Sequence, residues 1–208
     1  MRNCKMKAAA SLFSMVFTIS ANSTCRGDWS KDGFEPYSSQ SKKSTSPDGK
    51  IVLTATDAGL RLSRAGVDTL LSTEINPPLT EAVWSSDSRY LAINVSDGGE
   101  IGTWSVDLIS TETGKSVASV LQAASVDAKR RTKCVAPEAP NMMLVGWSKD
   151  TDRALILAEV PPHSSCSDMG AKIGYDVDVV TGKIIATFSE GTLRSRWSNV
   201  MGCWLERH

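Results

Sequence analysis

The sequence predicts an all-β protein built from repeated four-stranded antiparallel sheets, and three observations carry that prediction. The first is alternation: along Tyr90-Leu91-Ala92-Ile93-Asn94-Val95 the side chains of Leu91, Ile93 and Val95 fall on one face, the two-residue period of a strand. The second is turn chemistry. In Ser46-Pro47-Asp48-Gly49, Pro47 presets the backbone for the second position of a type I turn, Asp48 bonds the local backbone, and Gly49 takes the left-handed conformation that follows. The third is recurrence: Ser46 and Ser85 stand 39 residues apart, Ser85 and Ser148 stand 63 apart, and the longer interval reads as one period plus an insertion around Gln122 to Asn141.

The central block, Ala82 to Val120, shows the unit most clearly. A short apolar strand ends in Trp84, Ser85-Ser86-Asp87-Ser88 turns the chain, and Tyr90 to Val95 is the second strand. Asp97-Gly98-Gly99 turns it again, Thr103 to Ile109 is the third strand, Glu112-Thr113-Gly114-Lys115 is the next turn, and Ser116 to Val120 is the fourth strand. Four antiparallel strands in about forty residues is the size of one propeller blade. The first block runs over about 44–73, with Ile51 to Ala55, Leu60 to Leu62 and Thr69 to Leu71 as strands. The third runs over about 142–189: Val145 to Trp147, a turn at Ser148-Lys149-Asp150, then Ala154 to Ala158, Gly174 to Val180 and Ile184 to Phe188. Trp84 and Trp147 precede equivalent turns, so core packing at a strand end is their first reading and a stacking platform for sugars or aromatic ligands the second.

Trp84-Ser85-Ser86-Asp87-Ser88-Arg89-Tyr90-Leu91-Ala92 and Ser46-Pro47-Asp48-Gly49-Lys50 resemble the WD-like repeat signature of TolB-like β-propeller proteins. The Thr-Gly-Lys turns at Thr113 and Thr181 resemble those that close such blades, and the likeness covers about Lys43 to Phe188. It implies WD-like four-stranded blades in a partial or small β-propeller-like arrangement, since closed propellers carry four to eight blades. Members of that superfamily include periplasmic binding and scaffolding proteins, and related propellers gate peptidase domains.

Residues 1–23 read as an export signal: Arg2, Lys5 and Lys7 form a basic start, Ala8 to Ile19 is mostly apolar, and Ala21-Asn22-Ser23 offers small residues for cleavage. The apolar run is too short for a spanning helix. Soluble export to the periplasm or the exterior is the leading expectation, with a lipid on Cys25 or an uncleaved anchor as alternatives. Without those residues 20 basic side chains face 23 acidic ones, a net charge of −3 that implies no nucleic-acid partner. The basic cluster Lys129-Arg130-Arg131 with Lys133 reads as a solvated loop. Residues 24–43 form a polar arm in which Trp29-Ser30-Lys31-Asp32-Gly33 echoes the repeated turn, and residues 44–208 form one domain. Leu121 to Ala128 suits two helical turns, Pro137 and Pro140 exclude a long helix, and Thr192 to Leu205, with Trp197 and Trp204, is expected to add a last strand or two.

Cys25, Cys134, Cys166 and Cys203 remain after cleavage, an even count that in an exported chain reads as two disulfides of three possible connectivities. Cys134 precedes the first strand of the third block and Cys166 follows its second. In an antiparallel pair those places share an edge, so Cys134–Cys166 is the first choice and Cys25–Cys203 ties the termini. No close pair of zinc-like spacing occurs, and no metal or other cofactor is expected.

Catalytic residues are scarce. His163 is the one His besides the last residue, His208, and no serine elbow, His-Glu-x-x-His pair or phosphate loop is present. Asp48, Asp87 and Asp150 sit where turn bonding explains them. Asp97-Gly98-Gly99-Glu100 and Asp176-Val177-Asp178 have the acid density of calcium loops, but the first is more simply a turn and the second a strand with Asp outward and Val inward. The expected function is an exported, non-catalytic binding or scaffolding module whose partner is a protein or envelope component. The alternatives are a secreted hydrolase acting on glycans or peptides through carboxylates, and a decayed propeller with no site. No membrane span is expected after cleavage. A monomer capped by its own arm and C-terminal segment is favoured over a homodimer, because an intramolecular contact avoids the entropy of association. Intact-mass measurement on exported protein should find a chain beginning near Thr24 without lipid; a mass that includes residues 1–23 or a diacylglycerol would refute the export reading.

Overall fold

Each repeated turn becomes a hairpin of the same design. The computed structural model describes residues 28–37, 42–72, 79–98, 103–135, 138–148 and 152–202. In the first turn Ser46 Oγ donates to Asp48 Oδ1 (2.7 Å) and accepts from the Ile51 N–H (3.0 Å), while Asp48 Oδ1 accepts from the Lys50 N–H (3.1 Å). Ser85, Asp87, Arg89 and Tyr90 repeat this pattern at 2.6, 3.0 and 2.9 Å. Gly49 has φ of 75° and Ser88, its equivalent, accepts the same left-handed conformation at 65°. The Ser88 hydroxyl in turn accepts from the Asp48 N–H (3.0 Å), joining the two turns. Asp150, expected in the third turn, lies outside the described residues; there Ser148 N–H donates to Arg153 O (3.0 Å).

These turns connect three four-stranded antiparallel meanders. The first contains β1 (Lys43–Thr45), β2 (Ile51–Thr56), β3 (Gly59–Arg64) and β4 (Val67–Ser72) in that order. The second contains β5 (Thr80–Trp84), β6 (Tyr90–Ser96), β7 (Trp104–Ser110) and β8 (Lys115–Ser116), and the third β9 (Asn141–Trp147), β10 (Arg153–Glu159), β11 (Lys172–Asp178) and β12 (Ile184–Ser189). The protein is all-β, with blade-like sheets that do not close into a ring.

The middle sheet is buried on both faces. Leu91 and Ile93 pack with Ile51, Leu53, Leu60 and Leu62 of the first sheet, while Val83, Ala92 and Leu108 pack with Leu144 and Ile156 of the third. The outer face of the first sheet carries Val52, Thr54, Thr56, Arg61 and Ser63, all half-buried, with Asp68 and the exposed Leu70 beside them, so this end of the stack presents mainly hydroxyls and charge with a few apolar side chains among them. The outer face of the third sheet is apolar, with Met143, Val145, Leu155 and Leu157 packed against Leu193, Trp197 and Trp29.

Helices supply what short strands leave open. The fourth strand of the second sheet stops at Ser116 instead of reaching Val120. Helix α1 (Ser119–Arg131) begins there and exceeds the expected two turns, because Val120, Ala124 and Ala128 repeat every four residues and pack against both sheets. Three of the four basic residues are therefore helical and only Lys133 follows the helix: Lys129 to Arg131 form the last helical turn, where cations offset the helix dipole, and Asp127 accepts from Arg130, Arg131 and the buried Tyr175 hydroxyl. In place of the expected last strand, Glu190–Trp197 forms helix α2. Leu193 and Trp197, one turn apart, rest on Gly174, where a Cβ would meet Leu193 Cδ2 at 2.0 Å. Cys134 and Cys166 are joined by a disulfide, with Cα atoms 4.4 Å apart, tying the end of α1 to the loop between β10 and β11. Cys25, Cys203 and Trp204 lie outside the described residues.

One buried amide joins the second and third sheets. Asn94, fully buried on β6, donates through Nδ2 to Leu144 O (3.0 Å) and accepts through Oδ1 from Leu144 N–H (2.8 Å), completing the hydrogen bonding of β9 where that strand forms the sheet edge. Replacing Asn94 by Ala leaves a buried N–H and C=O unpaired, and chemical denaturation should show a loss of about 2–4 kcal/mol. A loss below about 1 kcal/mol, the scale of an ordinary exposed hydrogen bond, would show that this joint is dispensable.

Candidate binding cleft between the sheets

Over residues 28–34 the polar arm is a built strap. Phe34 exchanges both backbone hydrogen bonds with Ala82 on β5 (3.0 and 2.9 Å), and Ser30 pairs with Met201, supported by Lys31 N–H to Val200 O (2.8 Å) and Gly202 N–H to Trp29 O (2.9 Å). The strap thus links an edge of the middle sheet to the C-terminal segment. Trp29 is fully buried and meets the Trp104 ring edge-on at 4.6 Å.

Glu81 fastens this strap. Its Oε2 accepts from the Trp29 N–H (3.0 Å) and its Oε1 from the Ser30 N–H (2.9 Å), with the Asp28 N–H also contributing. Gly33 lies so close that a Cβ there would fall 1.8 Å from Oε1. Burial raises the Glu81 carboxyl to about 7, against the pull of these N–H donors and with Asp28 adding to the rise.

The strap walls a cleft of about 530 Å³, a volume in the range of small-molecule sites, to which all three sheets contribute. Its aromatic walls are Phe34, Trp84 and Trp147, with Val83, Pro47 and Val200 filling between them. Trp84 and Trp147 end β5 and β9 before equivalent turns, and the matching place in the first sheet is held by the much smaller Thr45. Both indoles are anchored: Trp84 Nε1 donates to Ser44 Oγ (3.1 Å) and Trp147 Nε1 to Val83 O (3.2 Å), and the Trp147 ring stacks on Tyr90 at 6.0 Å. The two readings of these residues meet here, since each indole is half-buried in a core cluster and also lines the cleft. Asp32 is the one charged residue among the described lining, which Ser30, Ser44 and Ser86 complete.

The other candidates do not gather at the cleft. Asp48 and Asp87 line a separate polar groove with Lys50, Arg64, Arg89 and Glu112. Asp48 is held low by the Ser46 hydroxyl and the Lys50 N–H; for Asp87 burial pushes upward, and the Ser85 hydroxyl and Arg89 outweigh it. His163 stands on a loop, 3.7 Å from Glu138. Asp97 closes its hairpin through the Thr103 N–H (2.9 Å) and hydroxyl (2.7 Å). Asp176 keeps the alternation, on the outer face of the third sheet beside Leu155 and opposite to Val177, but that face is covered: Asp176 is buried, pushed up by desolvation against the pull of Arg153, whose Nη1 lies 2.9 Å from its Oδ2. Glu81 and Asp176, the two carboxyls shifted upward among the described residues, sit on different sheets and neither lines the cleft. Sequence reasoning missed Glu81, Asp32 and Phe34; the signals were an acid inside the otherwise apolar Thr80–Trp84 strand and the echo of the repeated turn at Trp29–Gly33.

No protein-family model matches the chain, and no curated protein matches it. Among solved structures, one titled "Crystal structure of the eukaryotic initiation factor" is similar at 13% identity with a TM-score of 0.28, covering 71% of this chain and 43% of that one. The chain thus spans less than half the length of that protein, and a likeness this slight carries no argument about fold or function.

The sign of the Glu81 shift sets a pH dependence. A carboxyl at about 7 in the folded protein and near 4.5 unfolded holds its proton more tightly when folded. Its contribution to stability is full below the unfolded value and is lost as pH rises through the folded one. Urea denaturation should show stability falling by about 3 kcal/mol between pH 4.5 and 7. Glu81→Gln should flatten most of that slope; an unchanged slope in the variant would assign the dependence elsewhere.

Proposed function

We propose that this chain is a non-catalytic binding or scaffolding module, exported through residues 1–23 and working in the periplasm or outside the cell as a monomer. The observation that carries the reading is the cleft: three aromatic rings, two of them indoles held by hydrogen bonds, and a few polar groups at the meeting point of all three sheets and both terminal segments. Such a concave, mostly apolar site with few polar groups is the common form of a ligand pocket. The likeness of the Trp-Ser-x-Asp and Thr-Gly-Lys turns to TolB-like propellers supports the same class, with residues 44–208 as the domain and the preceding arm as its strap. In this reading Cys25–Cys203 secures the two terminal segments that the Ser30–Met201 pairing brings side by side.

The test is a ligand-observed NMR screen of small aromatic, cationic and sugar compounds against wild type and Trp84→Ala. Compounds that bind the wild type should lose binding by about tenfold or more in the variant, the scale of a removed aromatic contact in a desolvated pocket, while the variant still melts cooperatively. Binding that ignores the substitution would remove the cleft from the proposal, and hydrolysis of a glycan or peptide by purified wild type would move the protein to the enzymes.

A further inference from the structure

We propose that the cleft selects a small organic cation of the quaternary ammonium class. The inference rests on reading the cleft as the binding site and deepens it. Three features narrow the ligand. The first is charge: among the described lining residues Asp32 is the one ionisable side chain, so the cleft offers a carboxylate and no cation to answer an anionic ligand. The second is donor supply. Both indole N–H groups are already bonded, to Ser44 Oγ and Val83 O, so Trp84 and Trp147 offer a ligand their ring faces rather than hydrogen bonds. The third is the walls: Trp147, stacked on Tyr90 at an interplanar angle of 21°, lines the cleft with Trp84 and Phe34, and the aliphatic Val83 and Val200 complete an apolar surround.

These features discriminate among ligand classes. A sugar needs paired donors and acceptors around its hydroxyls, and the cleft supplies one carboxylate and a few serine hydroxyls, of which Ser44 already receives an indole proton. A primary ammonium is strongly hydrated and must exchange several water contacts for acceptors. A quaternary ammonium forms no hydrogen bonds, spreads its charge over methyl groups and is held by aromatic ring faces, an interaction strengthened by desolvation. Asp32 then supplies the opposite charge and the aliphatic side chains the methyl contacts.

Isothermal titration of the full exported chain with choline and with 3,3-dimethyl-1-butanol, its neutral isostere, tests this directly. Choline should bind saturably and the isostere about tenfold more weakly, the scale of a cation–π and ion-pair contribution in a partly desolvated site. Asp32→Asn should weaken choline and leave the isostere unchanged, and Trp147→Phe should retain choline where Trp147→Leu loses it, with cooperative melting confirming that each variant folds. Equal binding of the two probes would overturn the cation selectivity while leaving the cleft a site. Failure of choline to bind would overturn the ligand class, and the cleft itself would fall only if the compound screen with Trp84→Ala also failed.

Discussion

The structure depends on two neighbouring polar side chains placed where a stack of sheets is hardest to seal. Glu81 and Asn94 face one another across β5 and β6 on the side of the middle sheet that meets the third sheet. Each presents a carbonyl- or carboxylate-like group to the backbone of another segment: Asn94 to Leu144, Glu81 to Trp29 and Ser30. Edge strands carry backbone donors and acceptors that must be paired when buried. Here side chains of one sheet replace the missing ladder of the next. The geometry also explains why a buried acid is retained, since its oxygens answer backbone donors that no apolar residue would satisfy.

An open row of three sheets has two ends, and the chain treats them differently. The first end is mainly polar by composition, so its face tolerates water. The last end is apolar and is covered by α2 and the strap, with Gly174 allowing α2 to approach the sheet and Gly33 allowing the strap to lie on Glu81. Helix α1 fills the side between the second and third sheets, and the Cys134–Cys166 bond fixes the segment that follows it. The cleft is a consequence of this sealing. Its walls are two strand ends, the turns that follow β1 and β5, and the strap, so the contacts that close the core also shape the site.

Much of the fold was legible in the chain because its code is local. Ser46, Asp48 and Gly49, and again Ser85 and Asp87, make their turns with partners within five residues. Alternation showed which face of β6 carries Leu91 and Ile93. Where the reading missed, a distant contact had decided the outcome. Ser116 to Val120 has strand-like valines, but Val120 lies one helical turn before Ala124, and the groove between two sheets favours that stripe. Residues 190–197 bend into a helix because Leu193 and Trp197 find Gly174.

The sequence by itself determined the strand period, the turn positions, the three repeated antiparallel units and the placement of Trp84 and Trp147 before equivalent turns, since each depends on residues a few positions apart. Tertiary structure alone decided that the middle sheet is buried on both faces, that Asp176 is buried on the outer face of β11, and that residues 28–34 form a strap under Glu81. It also decided that Phe34, Trp84 and Trp147 meet beside Asp32 in one cleft. Those outcomes depend on pairings such as Trp29 with Glu81, 52 residues apart, and Asn94 with Leu144, 50 apart. No local pattern encodes such a pairing; it is selected when buried donors and acceptors on separate segments must find one another.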